Sequence, residues 1–345
     1  MAKKFTIVKV SKVVGSGSLA VGPSMTTREG KEFAAVGAQL VEVADSDKAG
    51  LAAALKEADC LLYGGVPINR EMMDAAPKLV AILYQTVGYD SVDLKAATEK
   101  NIIVVNNPSW EWCVEEVSNH ALALMLACAK KMKILDKLVA EGRWTDAKRA
   151  QNPMGSIYGE TLGIVGCGAI GRMVARKAKV FGLNIVGYDP YIAHPYLAKE
   201  NGITLTTLEN VLKADYVTMH PDLNETSLHM ISDKQFAQMK PSAYIINTSR
   251  GKVIDEVALV KALESKKIAG AGLDVFETEP LPKDSPLCKM DNVIMLSHSA
   301  SYSTYAFDQA PGAIAKEAGR IVSGQWPVNP VNKTVVPKFV LAKGK

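Results

Sequence analysis

The chain has 345 residues, 48% apolar and 22% charged, with 40 basic residues against 36 acidic ones. That length supports two domains with sizeable cores, and the near balance of charge, without any Lys/Arg block, argues against a nucleic-acid partner. The five cysteines, at 60, 113, 128, 167 and 288, are odd in number and show no CxxC or Cys/His metal spacing, which points to a reduced cytoplasmic protein with no metal site.

The N-terminal MAKKFTIVKV runs straight into a strand-like segment and lacks the apolar region and cleavage site of a signal peptide. Strands are expected near Phe5–Val10, Gln39–Val43, Asp59–Tyr63, Leu79–Tyr84 and Ile102–Asn106, with helical stretches between them such as Thr27–Val36 and Ser46–Lys56. Pro108 breaks regular structure and restricts Asn107, so a hinge is expected there. One long helix is expected from about Glu115 to Glu141, because Val117, Ala121, Leu124, Met125, Cys128 and Met132 recur at three- and four-residue steps. Gly142 stops it. Lys130, Lys131 and Lys133 come too early for it to span a bilayer, so no membrane partner is expected. A second βαβ series runs from Thr161 to about Leu296. Beyond Ser297 the pattern is helical again, then ends in the Pro-interrupted stretch Trp326–Pro337. Lys343 and Lys345 read as a solvated tail. Strands alternating with helices throughout imply parallel sheets with crossover helices.

The strongest local signal is Thr161-Leu-Gly-Ile-Val-Gly166-Cys-Gly168-Ala-Ile-Gly171. A lone GxGxxG is weak, but here a buried-strand run precedes it and a helix follows, with Ile170, Val174, Ala178 and Phe181 on one face. Gly166 allows the sharp turn, Gly168 lets a pyrophosphate approach the backbone, and Gly171 lets helix and strand pack closely. The helix N-terminus then offers free N–H groups to phosphates. Gly182 ends the helix, and the next strand, Asn184–Tyr188, leads to Asp189. A carboxylate there can accept from the ribose hydroxyls and repel a 2′-phosphate, so NAD is the expected cofactor. The bland alternative is that Asp189 only caps the turn before Pro190.

Three polar residues follow at strand ends: Arg250 after Ala243–Ile246, Glu279 in Glu279-Pro-Leu-Pro, and His298 after Val293–Leu296. Ligands in open α/β sheets bind outside the carboxyl ends of the strands, which puts Arg250 and His298 beside the nucleotide. Surface or structural roles are the alternatives for each, and Glu277 rivals Glu279.

At these residues the chain resembles the D-isomer-specific 2-hydroxyacid dehydrogenases, over nearly its whole length. Matching segments include Val87-Gly-Tyr-Asp-Ser-Val-Asp93, Val114-Glu-Glu-Val-Ser-Asn-His120, Gly166–Gly171, Tyr188-Asp-Pro190, Asn224-Glu-Thr226, Ser249-Arg-Gly251, Leu273-Asp-Val-Phe276 and Glu279-Pro-Leu-Pro282. The resemblance implies two doubly wound parallel-sheet α/β domains with a cleft between them. A flavodoxin-like substrate domain would be built from 1–108 plus 301–345, and a Rossmann NAD domain from 109–300. It implies interconversion of a 2-oxo acid and a D-2-hydroxy acid. His298 would be the general acid/base, Glu279 would hold its imidazole charged, and Arg250 would bind the substrate carboxylate and polarise the carbonyl. By the same resemblance, cofactor contacts fall on Ala169, Ile170, His220, Thr248, Ser249, Arg250, Asp274, His298 and Ala300, with Asp274 accepting from the nicotinamide carboxamide. Backbone amides near Val87 and Gly88, together with Arg250 and His298, would hold the substrate. Asp90 and Asp93 read as caps of the next helix. A homodimer is expected from the exposed apolar face of the long helix and from the family.

Several positions depart from the family. Thr86 stands where relatives have Gly, Leu296-Ser-His-Ser-Ala300 replaces Thr-Pro-His-Ile-Gly, and Asp222 replaces an apolar residue. The stretch Asn107–Cys113 is longer and carries Trp110 and Trp112, which could line a larger apolar pocket or pack at the hinge or dimer contact. A second class of function is a dinucleotide-sensing interaction protein, like the related C-terminal binding corepressors. The complete Arg/Glu/His set favours the enzyme.

Overall fold

The structure is a computed structural model that describes residues 5–12, 23–107, 112–192 and 194–338, with backbone alone over 23–27. The expected hinge at Pro108, Trp110 and the Lys343/Lys345 tail lie outside the described residues. The chain forms two compact units, Met1–Cys113 with Ser303–Lys345, and Val114–Tyr302.

In the first unit, strands β1 (Phe5–Ser11), β2 (Ala38–Ala44), β3 (Cys60–Gly64), β4 (Ala81–Leu83) and β5 (Ile103–Val105) alternate with helices α1 (Pro23–Ala35), α2 (Lys48–Glu57), α3 (Arg70–Asp74) and α4 (Leu94–Glu99). All pairings are parallel, in the order β2-β1-β3-β4-β5, which is the flavodoxin-like winding. The strands are apolar on both faces because helices cover both. Two clusters result, one around Ile7, Leu62, Leu83 and Ile103, the other around Val8, Leu61, Ile82 and Val104. Asp93 does cap α4, accepting from the Ala96 amide at 2.8 Å.

The second unit opens on α5 (Cys113–Ala129), all but its first residue, and α6 (Met132–Ala140) and α7 (Trp144–Ala150) then lead into β6 (Thr161–Val165). Then follow α8 (Ala169–Ala178), β7 (Asn184–Tyr188), α9 (Pro195–Glu200), β8 (Thr204–Leu205), α10 (Leu208–Val211), β9 (Tyr216–Met219), α11 (Asp233–Phe236), β10 (Tyr244–Asn247), α12 (Glu256–Glu264), β11 (Gly270–Leu273) and β12 (Val293–Met295). The seven strands are parallel in the order β12-β11-β10-β9-β6-β7-β8. The winding reverses between β6 and β9, the switch point at which such sheets bind nucleotides.

The chain returns to the first unit through α13 (Thr304–Val322), capped by the Ser303 hydroxyl on the Ala306 amide. The Pro-interrupted stretch after it covers the edge of β5. Val331 donates to Val104 at 2.8 Å, and Asn332 accepts from Val104 and donates to Ile102. An edge strand whose N–H and C=O groups are taken in this way cannot recruit another strand.

Two helical expectations need correction. The helix expected over Glu115–Glu141 is two helices. The break falls at Lys130–Lys131, where Lys131 takes φ +50 and its amide turns back to Cys128. The apolar stripe is buried as far as Cys128, whereas Met132, four residues on, is exposed. Phe181 also leaves the face it was expected to share with Val174 and Ala178. The last turn tightens to a 3₁₀ helix over Lys179–Phe181, which rotates the ring outward. Gly142 and Gly182, at φ +73 and +77, do end their helices. Among the described residues no helix is long and apolar enough to cross a membrane, and no cysteine is in a disulfide.

Candidate active site

The register of the second sheet aligns the carboxyl ends of its main strands. Val165 pairs with Tyr188 and Met219, Met219 with Asn247, Asn247 with Leu273, and Leu273 with Met295. One residue further along, Gly166, Asp189, His220, Thr248, Asp274 and Leu296 therefore form a single row across the sheet. Five of these six are candidates from the sequence.

The glycines of the row's central turn behave as their positions demand. Gly166 has φ +88, and a Cβ there would lie 2.6 Å from the carbonyl carbon of His220. A Cβ on Gly171 would meet the Gly166 carbonyl oxygen at 2.1 Å, so α8 packs directly on the turn. Gly168, by contrast, has nothing within 4 Å on that side, which leaves room for a phosphate to reach the backbone. It is also the N-cap of the ten-residue α8, so the amides of Ala169, Ile170 and Gly171 precede the first intrahelical bond, from Arg172 to Gly168. Cys167 sits between these glycines, fully buried, and burial with the nearby Asp189 charge pushes its thiol up to about 12. Its role is packing.

Two polar atoms beside the turn are buried without a hydrogen-bond partner among the described residues, His220 Nδ1 and Thr248 Oγ1. A buried orphan group is costly unless a ligand completes it. His220 uses its other nitrogen on Thr218, at 2.9 Å, and burial pushes its imidazole down to about 3, so the ring is neutral. The open side of Gly168, the helix amides and these two orphans fit a dinucleotide. Asp189 accepts from Cys167 N and Tyr191 N, both at 2.9 Å, so it does cap its turn, and each oxygen keeps a second lone pair.

Beyond the row stand the three candidate chemical groups. His298 Nδ1 lies 2.8 Å from Glu279 Oε2, and Glu279 Oε1 accepts the Phe276 amide at 3.0 Å. Partial burial would push the Glu279 carboxyl up, but the His298 hydrogen bond and charge, the Phe276 amide and Arg250 outweigh it and hold the group below its ordinary range. With Nδ1 on Glu279, the Nε2 edge of His298 is the one left for a substrate. Glu277, the rival partner, pairs instead with His229 Nε2 at 2.8 Å and accepts the Glu256 amide at 2.9 Å.

Arg250 opens a 3₁₀ turn after β10. Asn247 builds that turn: its Nδ2 donates to the Arg250 carbonyl, and its Oδ1 accepts both the amide and hydroxyl of Ser249. Asn247 was missed in the sequence, although an Asn that ends a strand before Thr-Ser-Arg-Gly is a turn-forming signal. Asp274 is fully buried. Burial alone would raise its carboxyl, yet the His120 imidazole beside it and the hydrogen bonds from the Ser299 and Ala300 amides bring it below its ordinary value. His120 ends one of the segments that match the family, but no role was read for it in the sequence. In the first unit, Val87 and Gly88 have their carbonyls engaged by Asn106 Nδ2 and Thr86 Oγ1, and neither amide is paired among the described residues. Trp112 is buried.

A doubly wound sheet with a glycine turn at its switch point, and a His–Glu pair at the same edge, defines a dinucleotide-dependent oxidoreductase. Residues 122–300 match the D-isomer specific 2-hydroxyacid dehydrogenase NAD binding domain. A glyoxylate reductase from Korarchaeum cryptofilum is 43% identical over 78% of this chain and 81% of that protein. A D-3-phosphoglycerate dehydrogenase from Methanocaldococcus jannaschii is 40% identical over 88% of this chain, though over 58% of its own length. Among solved structures, the D-lactate dehydrogenase of Aquifex aeolicus, complexed with NAD and lactic acid, superposes with a TM-score of 0.78 at 26% identity, covering 92% of this chain and 96% of that one. The chain belongs to the D-isomer-specific 2-hydroxyacid dehydrogenase family and uses an NAD(P) cofactor.

Proposed function

We propose that the protein reduces a 2-oxo acid to a D-2-hydroxy acid, and can run the reverse reaction, with His298 as proton donor and acceptor. The observation that carries this reading is the 2.8 Å contact between His298 Nδ1 and Glu279. It orients the ring, turns Nε2 toward the substrate oxygen and stabilises the imidazolium that delivers the proton. Bound NADH supplies the hydride. Arg250 offers a planar pair of donors to the substrate carboxylate and carbonyl, where negative charge develops. The unpaired amides of Val87 and Gly88 are the proposed further carboxylate donors.

Within the cofactor, Asp189 is proposed to accept from the ribose hydroxyls and thereby favour NAD over NADP. His220, Thr248, Ser249, Asp274 and Ala300 complete the proposed contacts. A homodimer in the cytoplasm is proposed as the working form. Supporting it, Met132, Val139 and Trp144 are exposed on α6 and α7, and Tyr158 and Val180 lie exposed in the same unit. No observation favours the dinucleotide-sensing alternative.

The direct test is NADH consumption over a panel of glyoxylate, hydroxypyruvate, pyruvate and aromatic 2-oxo acids. Turnover of at least one is expected, and glyoxylate comes first because similar proteins are glyoxylate reductases. No turnover of any of them, with NADH or NADPH, overturns the reading.

A further inference from the structure

His298 has φ +57, a left-handed conformation that a residue with a side chain adopts only when its surroundings impose it. The imposing group is Asp274. Its backbone carbonyl accepts the His298 amide at 2.7 Å. Its Oδ1 accepts the Ser299 amide at 2.9 Å and the Ser299 hydroxyl at 3.3 Å, and its Oδ2 accepts the Ala300 amide at 2.8 Å. Three consecutive residues are thus tied to one buried aspartate.

A carboxylate with no exposure needs hydrogen-bond donors and polar neighbours around it. One such neighbour comes from a separate element. His120, on α5, places Nε2 3.3 Å from Asp274 Oδ1. That nitrogen is itself out of contact with water and makes no well-aligned hydrogen bond, so Asp274 is the group it faces. Removing the imidazole would leave the carboxylate buried with only the donors of the loop it is meant to hold.

We infer that His120 is a positioning residue: it steadies the Asp274 carboxylate, which clamps the 298–300 backbone so that His298 meets Glu279. The inference rests on the acid/base reading of His298 for its effect on rate, but the clamp itself does not.

The test uses the full-length protein as His120→Leu, which removes the donor, and His120→Gln, whose amide reaches the position of Nε2. In His120→Leu, kcat for the 2-oxo acid should fall about 10-fold, while KM for the 2-oxo acid and for NADH stay within about twofold. His120→Gln should recover most of the rate. Hydrogen exchange of a peptide spanning 297–302 should speed up in His120→Leu and return to the wild-type rate in His120→Gln. If His120→Leu does not fold, His120→Asn, too short to reach Asp274, replaces it. Unchanged kcat and exchange in the leucine variant, or equal losses in the leucine and glutamine variants, overturn the inference. Should the wild type turn over no 2-oxo acid, the acid/base reading falls, and the exchange measurement alone decides the clamp.

Discussion

A Cβ on Gly251 would lie 1.9 Å from the carbonyl carbon of Phe276. The turn that carries Arg250 and the loop that carries Glu279 therefore touch backbone to backbone, with no room for a methyl group. Gly251→Ala should force the two apart. We expect a stability loss of about 1–3 kcal/mol from overpacking and a fall in kcat on the order of 10- to 100-fold from the displaced groups. Thermal unfolding and steady-state kinetics check both. Wild-type values would show that the two loops move independently.

Asp189 holds its own turn as well as being the proposed acceptor for the ribose hydroxyls. Asp189→Ser should raise activity with NADPH relative to NADH by at least about 10-fold. It should also cost about 1 kcal/mol, because one of the two backbone amides on Asp189 loses its acceptor. An unchanged cofactor ratio would remove Asp189 from the ribose site.

Acid should destabilise the protein through His220. Folded, its imidazole stays neutral down to about pH 3, whereas the unfolded residue takes up a proton near its ordinary value of 6.5. Between these values the unfolded state binds more protons, so stability falls as pH falls, by about 1.4 kcal/mol per unit. His220→Asn should flatten that slope between pH 6 and 4.5 in urea unfolding curves. An identical slope in both proteins would contradict the burial argument.

In the first unit, Lys9 and Glu29 form a buried pair at 2.7 Å, with side chains 7% and 0% exposed, and Glu29 also accepts from Gln85. Glu29→Gln leaves Lys9 with the Glu42 carboxylate at 3.9 Å, and should cost about 3–5 kcal/mol. The double change Lys9→Met, Glu29→Leu should recover much of that loss, since an apolar pair of similar volume avoids desolvation. A double-mutant cycle by thermal unfolding measures the coupling.

The alternation of strands and helices was readable in the residues because parallel strands, buried on both faces, are short continuous apolar runs bounded by turn residues. The winding order of the sheets agrees with what the family resemblance implied. The break at Lys131 was not readable. Neither Gly nor Pro marks it, and the apolar period continues from Cys128 to Met132 across it, so periodicity alone joins two helices into one. The outward turn of Phe181 was hidden for a similar reason, since a 3₁₀ ending changes the angle per residue without changing the sequence pattern. Arg250 and His298 stood out because polar residues just after strands are conspicuous, and Glu279, six residues beyond β11, stood out through its Glu-Pro-Leu-Pro match to the family. His120 and the Lys9–Glu29 pair did not, because each depends on which distant segment it meets in the fold, whereas Asn247 acts on Ser249 and Arg250 beside it and carries a local turn signal that was passed over. Position in the chain left Glu277 a rival of Glu279, and only the Glu-Pro-Leu-Pro match favoured Glu279. The difference lies in His229 and Glu256, which engage Glu277 and leave Glu279 to His298.

His298 is the residue proposed to move the proton. The most direct measurement is single-turnover NADH oxidation, with a 2-oxo acid the wild type reduces, by wild type and His298→Ala, alongside NADH binding by fluorescence. With His298 as proton donor, the rate should fall at least about 10²-fold in the variant with NADH binding within about twofold of wild type. A His298→Ala variant that keeps the wild-type rate would contradict it.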